Sequence, residues 1–152
     1  MREPVTVVLD SPEATARLAE RIAARARPGD ALLLEGPLGA GKSAFARAFL
    51  RAAAGDPRLE VPSPTFTLVQ GYDLPTGPAF HFDLWRLDGP DGLVELGWEE
   101  AREGIVLVEW PDRLGALRPD GALTVALTPG ASEAERVATL MGWTDRLEGI
   151  GA

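Results

Sequence analysis

Ala31-Leu32-Leu33-Leu34-Glu35-Gly36-Pro37-Leu38-Gly39-Ala40-Gly41-Lys42-Ser43 is the stretch that decides the fold. Ala31 to Glu35 is a short apolar run, bounded before it by Pro28-Gly29-Asp30 and after it by glycine, and reads as a buried strand. Gly36 to Ser43 matches the spacing G-x-x-x-x-G-K-[ST], and the alanine-rich run from Ser43 to Ala54 reads as a helix. Strand, glycine loop and helix together are the setting in which this pattern cradles phosphate. Lys42 is the only lysine of the chain; every other basic side chain is arginine. A lysine is a compact charge on a flexible stem, suited to a narrow loop where a guanidinium fork is too wide.

The loop specifies its own chemistry. Backbone N–H groups of Gly39 to Ser43 would turn inward onto phosphate oxygens, helped by the positive end of the helix dipole. Glycines at 36, 39 and 41 allow positive φ and close approach. Lys42 would bridge the β and γ phosphates, and the Ser43 hydroxyl would ligate Mg²⁺. The alternative is a glycine turn before a helix that binds nothing. A metal-phosphate site also needs acid. Glu109 ends the apolar strand Ile105-Val106-Leu107-Val108-Glu109, at the edge where parallel α/β sheets bind ligands. Asp83 ends a second candidate strand within His81-Phe82-Asp83-Leu84-Trp85-Arg86. Either carboxylate could hold Mg²⁺ or orient water, or simply face solvent. His81 is the only histidine, and a lone histidine is more often structural than catalytic. Trp85 and Trp110 read as core or interface aromatics.

Working outward, Thr6 to Leu9 reads as a strand, followed by a helix capped by Ser11 with Pro12 at its first position. Leu18, Ile22 and Ala26 form its apolar stripe; Arg17, Arg21 and Arg25 lie on another face that reads as solvated. Gly55-Asp56-Pro57 ends the second helix, and the prolines of Val61-Pro62-Ser63-Pro64-Thr65 enforce extended backbone. Phe66 to Tyr72 reads as a strand, returning through Ala79 to Leu84 after a turn at Leu74 to Pro78. Leu93 to Arg102 reads as a helix broken near Gly97, and Ile105 to Glu109 as a mid-sheet strand. Leu123 to Leu127 and Glu135 to Leu140 read as two late strands. The glycine-rich stretch 143–152 reads as a flexible tail. The expected fold class is α/β: a single domain over 1–152, P-loop NTPase-like, with a mixed sheet of parallel core and antiparallel additions and helices on both faces.

Composition bounds the function. The chain has 152 residues, a net charge of −8 and no cysteine. That suits one soluble domain, excludes disulfides and zinc-thiolate sites, and argues against broad nucleic-acid binding as the main task. No membrane-spanning stretch or signal pattern is visible, so a cytoplasmic protein is expected. The guanine-reading pattern Asn-Lys-x-Asp is impossible with one lysine already committed, so adenine is favoured by elimination. Asp112-Arg113-Leu114-Gly115 fits only the short D-x-x-G spacing.

Four segments in order, Gly36 to Ser43, Ser63-Pro64-Thr65-Phe66-Thr67-Leu68-Val69, His81-Phe82-Asp83-Leu84-Trp85-Arg86-Leu87 and Leu107-Val108-Glu109-Trp110-Pro111, resemble the TsaE family. The similarity runs from about residue 5 to residue 140. The resemblance implies a small cytoplasmic ATPase, using ATP/ADP and Mg²⁺, that serves threonylcarbamoyladenosine modification of tRNA. Its implied partners are TsaB and TsaD, of which TsaD carries the transfer chemistry, with tRNA reached only through that complex. By motif, Lys42, Asp83 and Glu109 take the catalytic places, and Ser43, Glu109 and Asp83 the Mg²⁺ places. The implied nucleotide set is Gly36, Pro37, Leu38, Gly39, Ala40, Gly41, Lys42, Ser43 and Ala44, with Thr65 in a switch segment beside the γ-phosphate. Ser11, Thr15 and Asp112 match positions near the base or ribose, and Trp110 an aromatic linked to the site. Ser43 stands where the family usually has Thr, Trp85 where it usually has Tyr, and Glu133 where some relatives place a basic residue. Two other readings remain open: a small-molecule kinase, for which no arginine-rich lid is evident, and a nucleotide-binding switch without turnover.

Overall fold

The structure is a computed structural model, described here for residues 4–64, 66–143 and 145–150. The elements run β1 (Val5–Leu9), α1 (Pro12–Ala23), β2 (Ala31–Glu35), α2 (Lys42–Ala54), β3 (Val69–Leu74), β4 (Gly77–Asp83), α3 (Trp98–Ala101), β5 (Ile105–Glu109), β6 (Leu123–Pro129) and β7 (Arg136–Met141). Two 3₁₀ segments, Pro90–Leu93 and Pro111–Leu117, flank the α3–β5 unit. One seven-stranded sheet holds them together in the order β1-β7-β6-β2-β5-β4-β3. β2 is parallel to both β5 and β6, and β4 is parallel to β5. The pairs β1–β7, β6–β7 and β3–β4 are antiparallel. The expected α/β class, with a parallel core and antiparallel additions, is therefore the observed one.

Side-chain alternation sorts the parallel core into two layers. Leu32, Leu34 and Leu107 pack with Leu18, Ile22, Phe45 and Phe49 of α1 and α2 on one face. Leu33, Val106 and Val108 pack with Leu93, Trp98 and Leu114 on the other. Because both faces are covered, β2 and β5 read as continuous apolar runs instead of alternating ones. α1 begins as its sequence requires: the Ser11 side chain accepts from the Ala14 N–H at 3.1 Å, and Pro12 occupies the first helical position. α2 ends at Gly55, whose φ of 67° is the left-handed C-terminal cap that glycine favours.

Three details depart from the sequence expectations. The strand expected over 66–72 starts only at Val69 and runs to Leu74. Leu68 sits at a φ of 67° and its N–H is bonded to the Pro64 carbonyl at 2.7 Å, so the preceding residues turn, and Phe66 is 82% exposed. The helix expected over 93–102 is split as anticipated near Gly97, but into the 3₁₀ turn Pro90–Leu93 and the single turn α3, with Gly97 left-handed at φ 79°. Of the stretch read as a flexible tail, the described residues 143 and 145–150 pack on the body: Trp143, Leu147 and Ile150 are buried in the α1 side of the core. Arg146 holds it by a two-pronged bond to Asp30, at 2.7 and 3.0 Å, with its guanidinium 3.9 Å from the Trp143 ring centroid. This also explains part of the arginine face of α1. Arg21 donates to the Ile150 carbonyl at 3.1 Å and Arg25 to that of Glu148 at 3.5 Å; Arg17 and Arg21 are nonetheless exposed, as a solvated face requires.

Candidate functional site

β2 lies in the middle of the sheet, so the loop after it emerges at the sheet's C-terminal edge, with parallel strands β5 and β6 on either side. Gly36 leaves β2 at φ 146°, and a Cβ there would meet the Leu127 carbonyl oxygen at 2.4 Å. The loop is thus seated directly on the end of β6. Gly41, at φ 104°, precedes α2, and no side chain caps that helix. Its first N–H groups and its dipole therefore face the cleft, the standard arrangement for binding an anion.

Strand periodicity delivers the acids. Asp83 and Glu109 are register partners on β4 and β5, and His81 precedes Asp83 by two residues on the same face. That face is the one covered by α2, as the packing of Leu107 against the α2 cluster shows. Glu109 is 3% exposed and held from two sides. The Ser43 hydroxyl lies 3.2 Å from each of its carboxylate oxygens, and His81 Nε2 lies 2.7 Å from Oε2. Asp83 is buried, and its Oδ1 accepts from the Trp85 N–H at 3.1 Å. The Lys42 ammonium donates to the Gly36 carbonyl at 2.5 Å and sits 3.5 Å from the centroid of the Trp110 ring. Trp110 reaches that position because it adopts φ 60°, immediately after Glu109. The left-handed conformation costs a non-glycine residue about 1–2 kcal/mol. Trp85 packs against Trp110 with centroids 4.4 Å apart.

Burial sets the electrostatics. Loss of water lowers the Lys42 pKa from the usual lysine value, against the opposing pull of Glu109, Asp83 and Asp112. The Asp83 pKa is raised, first by burial and further by the Glu109 charge; the Trp85 N–H, His81 and Lys42 oppose the rise. Two carboxylates beside one ammonium, all poorly hydrated, form a site whose charges are incompletely compensated.

These groups line one cleft of about 420 Å³. Of the residues expected from the sequence, Leu38, Gly39, Gly41, Lys42, Ser43, Ala44, Asp83 and Glu109 contribute to its walls. Gly36 and Ala40 lie behind the loop, against β6 and the core, and Pro37 is exposed. Ser11 and Thr15 do not line the cleft: Ser11 caps α1 and Thr15 is buried. Asp112 is exposed on the following 3₁₀ segment, 3.8 Å from Arg113, and acts on Lys42 only through its charge. Thr65 lies outside the described residues. The walls also include Ser63, Trp85, Arg86 and Trp110. Sequence reasoning undervalued His81 by treating it as a solitary histidine. Its position two residues before Asp83 on a strand was the available signal, since that spacing puts both on one face.

A family model described as "Threonylcarbamoyl adenosine biosynthesis protein TsaE" matches residues 9–138. The "tRNA threonylcarbamoyladenosine biosynthesis protein TsaE" of Rickettsia felis is 39% identical over 107 residues, covering 70% of this chain and 62% of the relative. The chain thus spans about three fifths of the length of that relative. The protein of the same name from Bacillus subtilis is 37% identical over 135 residues, covering 87% of this chain and 83% of the relative. Among solved structures, the crystal structure of Bacillus subtilis YdiB superposes with a TM-score of 0.76 at 31% identity, covering 99% of this chain and 93% of that one.

Proposed function

The chain belongs to the TsaE family of threonylcarbamoyl adenosine biosynthesis proteins, and on that premise we propose that it is the ATP-hydrolysing accessory protein of tRNA threonylcarbamoyladenosine synthesis. It binds ATP and ADP in the cleft beside Lys42 and acts on a complex of TsaB and TsaD, resetting that complex between turnovers. The single observation that supports this most is the convergence of Lys42, Ser43, Asp83 and Glu109 on one cleft in front of an uncapped helix N-terminus.

The residues present fit a Mg²⁺-nucleotide in a specific way. Among the described residues no three or more His, Cys, Asp or Glu side chains form a ready metal cage. Ser43, Glu109 and Asp83 offer a small set of hard oxygen donors instead. That is the donor chemistry of Mg²⁺, which keeps waters and binds largely through substrate phosphates. When bound, the ion would offset charge on the β and γ phosphates. Lys42 would neutralise the same phosphates from the loop side, trading its contacts with the Gly36 carbonyl and the Trp110 face for a fully charged partner. His81 would keep the Glu109 carboxylate turned toward Ser43. Asp83, on the same cleft wall, would accept a hydrogen bond from a water at the γ-phosphate. Part of the cleft wall is the exposed Trp85 and Arg86. Slow hydrolysis alone and faster hydrolysis once a partner covers the cleft follow from that openness.

No helix of the described residues is long and apolar enough to cross a membrane, and we place the protein in the cytoplasm with its tRNA-modifying partners. The decisive experiment measures phosphate release from ATP with and without TsaB–TsaD, at several tRNA concentrations. Stimulation by the heterodimer is expected. Rates indifferent to TsaB–TsaD, or phosphate transferred to a metabolite instead of released, would overturn the proposal.

A further inference from the structure

The phosphate loop is braced from behind by a side chain of the last strand. Arg136 opens β7, where it is in register with Leu9 of β1 and Pro129 of β6. Its guanidinium leaves the strand and reaches the loop: Nε donates to the Ala40 carbonyl at 3.2 Å and Nη2 to the Gly39 carbonyl at 3.4 Å. The remaining nitrogen is occupied by the hairpin itself, donating to the carbonyls of Glu133 at 2.6 Å and Glu135 at 2.9 Å. The fork therefore ties two successive loop carbonyls to the β6–β7 hairpin. A peptide unit is planar and trans, so its C=O and N–H point in opposite directions. With the Ala40 carbonyl drawn back onto Arg136, the N–H of the next residue, Gly41, is turned to the opposite side, and Gly41 lines the cleft. The cation also polarises that peptide, strengthening its N–H as a donor.

We propose that Arg136 is a positioning residue for phosphate binding: it orients the Gly39 to Gly41 backbone so that the loop amides meet the anion, without touching the anion itself. The inference rests on the nucleotide reading above and deepens it. It also gives the β6–β7 hairpin a role, since two independent contacts fasten the loop to it. One is the Arg136 fork and the other is the seat of Gly36 on the Leu127 carbonyl. Lysine at 136 would carry the charge but present one ammonium where two carbonyls are now bridged.

The test is calorimetric titration of Mg-ATP, Mg-ADP and inorganic pyrophosphate into the wild-type protein, Arg136→Ala and Arg136→Lys. Pyrophosphate carries the phosphate chemistry with neither base nor ribose. Loss of a charge-assisted brace predicts on the order of tenfold weaker binding of all three probes in Arg136→Ala. Arg136→Lys should fall between, about threefold weaker than wild type, because one of two bonds is recoverable. In steady state the change should fall more on KM for ATP than on kcat. Wild-type pyrophosphate affinity in either variant overturns the assignment, including the case where only ATP and ADP weaken, which would make Arg136 a nucleoside contact. Should Arg136→Ala fail to fold, the lysine variant decides alone. A wild-type protein that binds none of the probes would instead refute the nucleotide reading itself.

Discussion

Gly36→Ala isolates the seating of the phosphate loop. Gly36 adopts φ 146°, outside the range that L side chains occupy comfortably, and such a conformation costs on the order of 1–3 kcal/mol. The added methyl would also lie 2.4 Å from the Leu127 carbonyl oxygen and 3.1 Å from the Ala40 Cβ. The first contact is with backbone at the end of β6, so neither a rotamer change nor truncation of the Leu127 side chain relieves it. Forced overpacking of this kind costs about 1–3 kcal/mol more. A total near 4 kcal/mol, at roughly 2–4 °C per kcal/mol for a chain of this size, lowers the melting temperature by about 10 °C. Gly39→Ala is the control. Its φ is 81° but nothing lies within 4 Å of the added carbon, so only the conformational cost of about 1 kcal/mol applies, near 3 °C. Thermal unfolding followed by circular dichroism on the two variants reads the difference directly. If Gly36→Ala melts within the error of Gly39→Ala, the close seating of the loop on β6 is wrong. Nucleotide affinity should fall with stability in Gly36→Ala, because a shift of Gly36 on its seat displaces the loop whose N–H groups face the cleft.

Three further outcomes are expected. Lys42→Ala should weaken ATP binding at least a hundredfold in calorimetry while leaving the unliganded melting temperature within a few degrees, since the buried ammonium is itself costly to the fold. Asp83→Asn should raise the melting temperature of the unliganded protein at neutral pH. The Asp83 pKa is raised on folding, so its ionised form destabilises the native state above that pKa and the penalty disappears toward 3.8; the asparagine advantage should therefore shrink on acidification, and an advantage that grows as pH falls would contradict the assigned direction. Leu147→Ala should cost about 2–4 kcal/mol in a denaturant titration, as expected for a buried leucine, whereas a change within 0.5 kcal/mol would mean that the C-terminal segment contributes no core.

The features legible in the sequence were the local ones. The strand Ala31–Glu35, the glycine loop and α2 follow each other directly, so composition and spacing suffice to place them. Glu109 and Asp83 were identifiable as strand-end acids because each closes an apolar run, though only the β4–β5 register shows that they are neighbours. The remaining features depend on contacts between distant segments. The C-terminal segment looks loose because its glycines are visible locally, while Trp143, Leu147 and Ile150 join a core cluster assembled from distant segments, α1 among them. The strand start at Val69 depends on Leu68 taking a left-handed conformation that no propensity would assign to leucine. The bracing of the loop by Arg136 spans nearly a hundred residues and leaves no local trace.

The sheet's connectivity has a consequence for biosynthesis. Among the described residues β1 is paired only with β7, and β2 only with β5 and β6, so neither of the first two strands has a strand partner within the first hundred residues described. A nascent chain emerging from the ribosome carries β1 and β2 as unmatched extended segments until their mates are translated. The most deeply buried strand of the N-terminal half, Ala31–Glu35, is therefore exposed throughout that interval, when pairing with a neighbouring chain competes with native assembly. Holdase chaperones have their longest opportunity to act on this stretch, and any pause placed between the codons for β2 and β5 prolongs it.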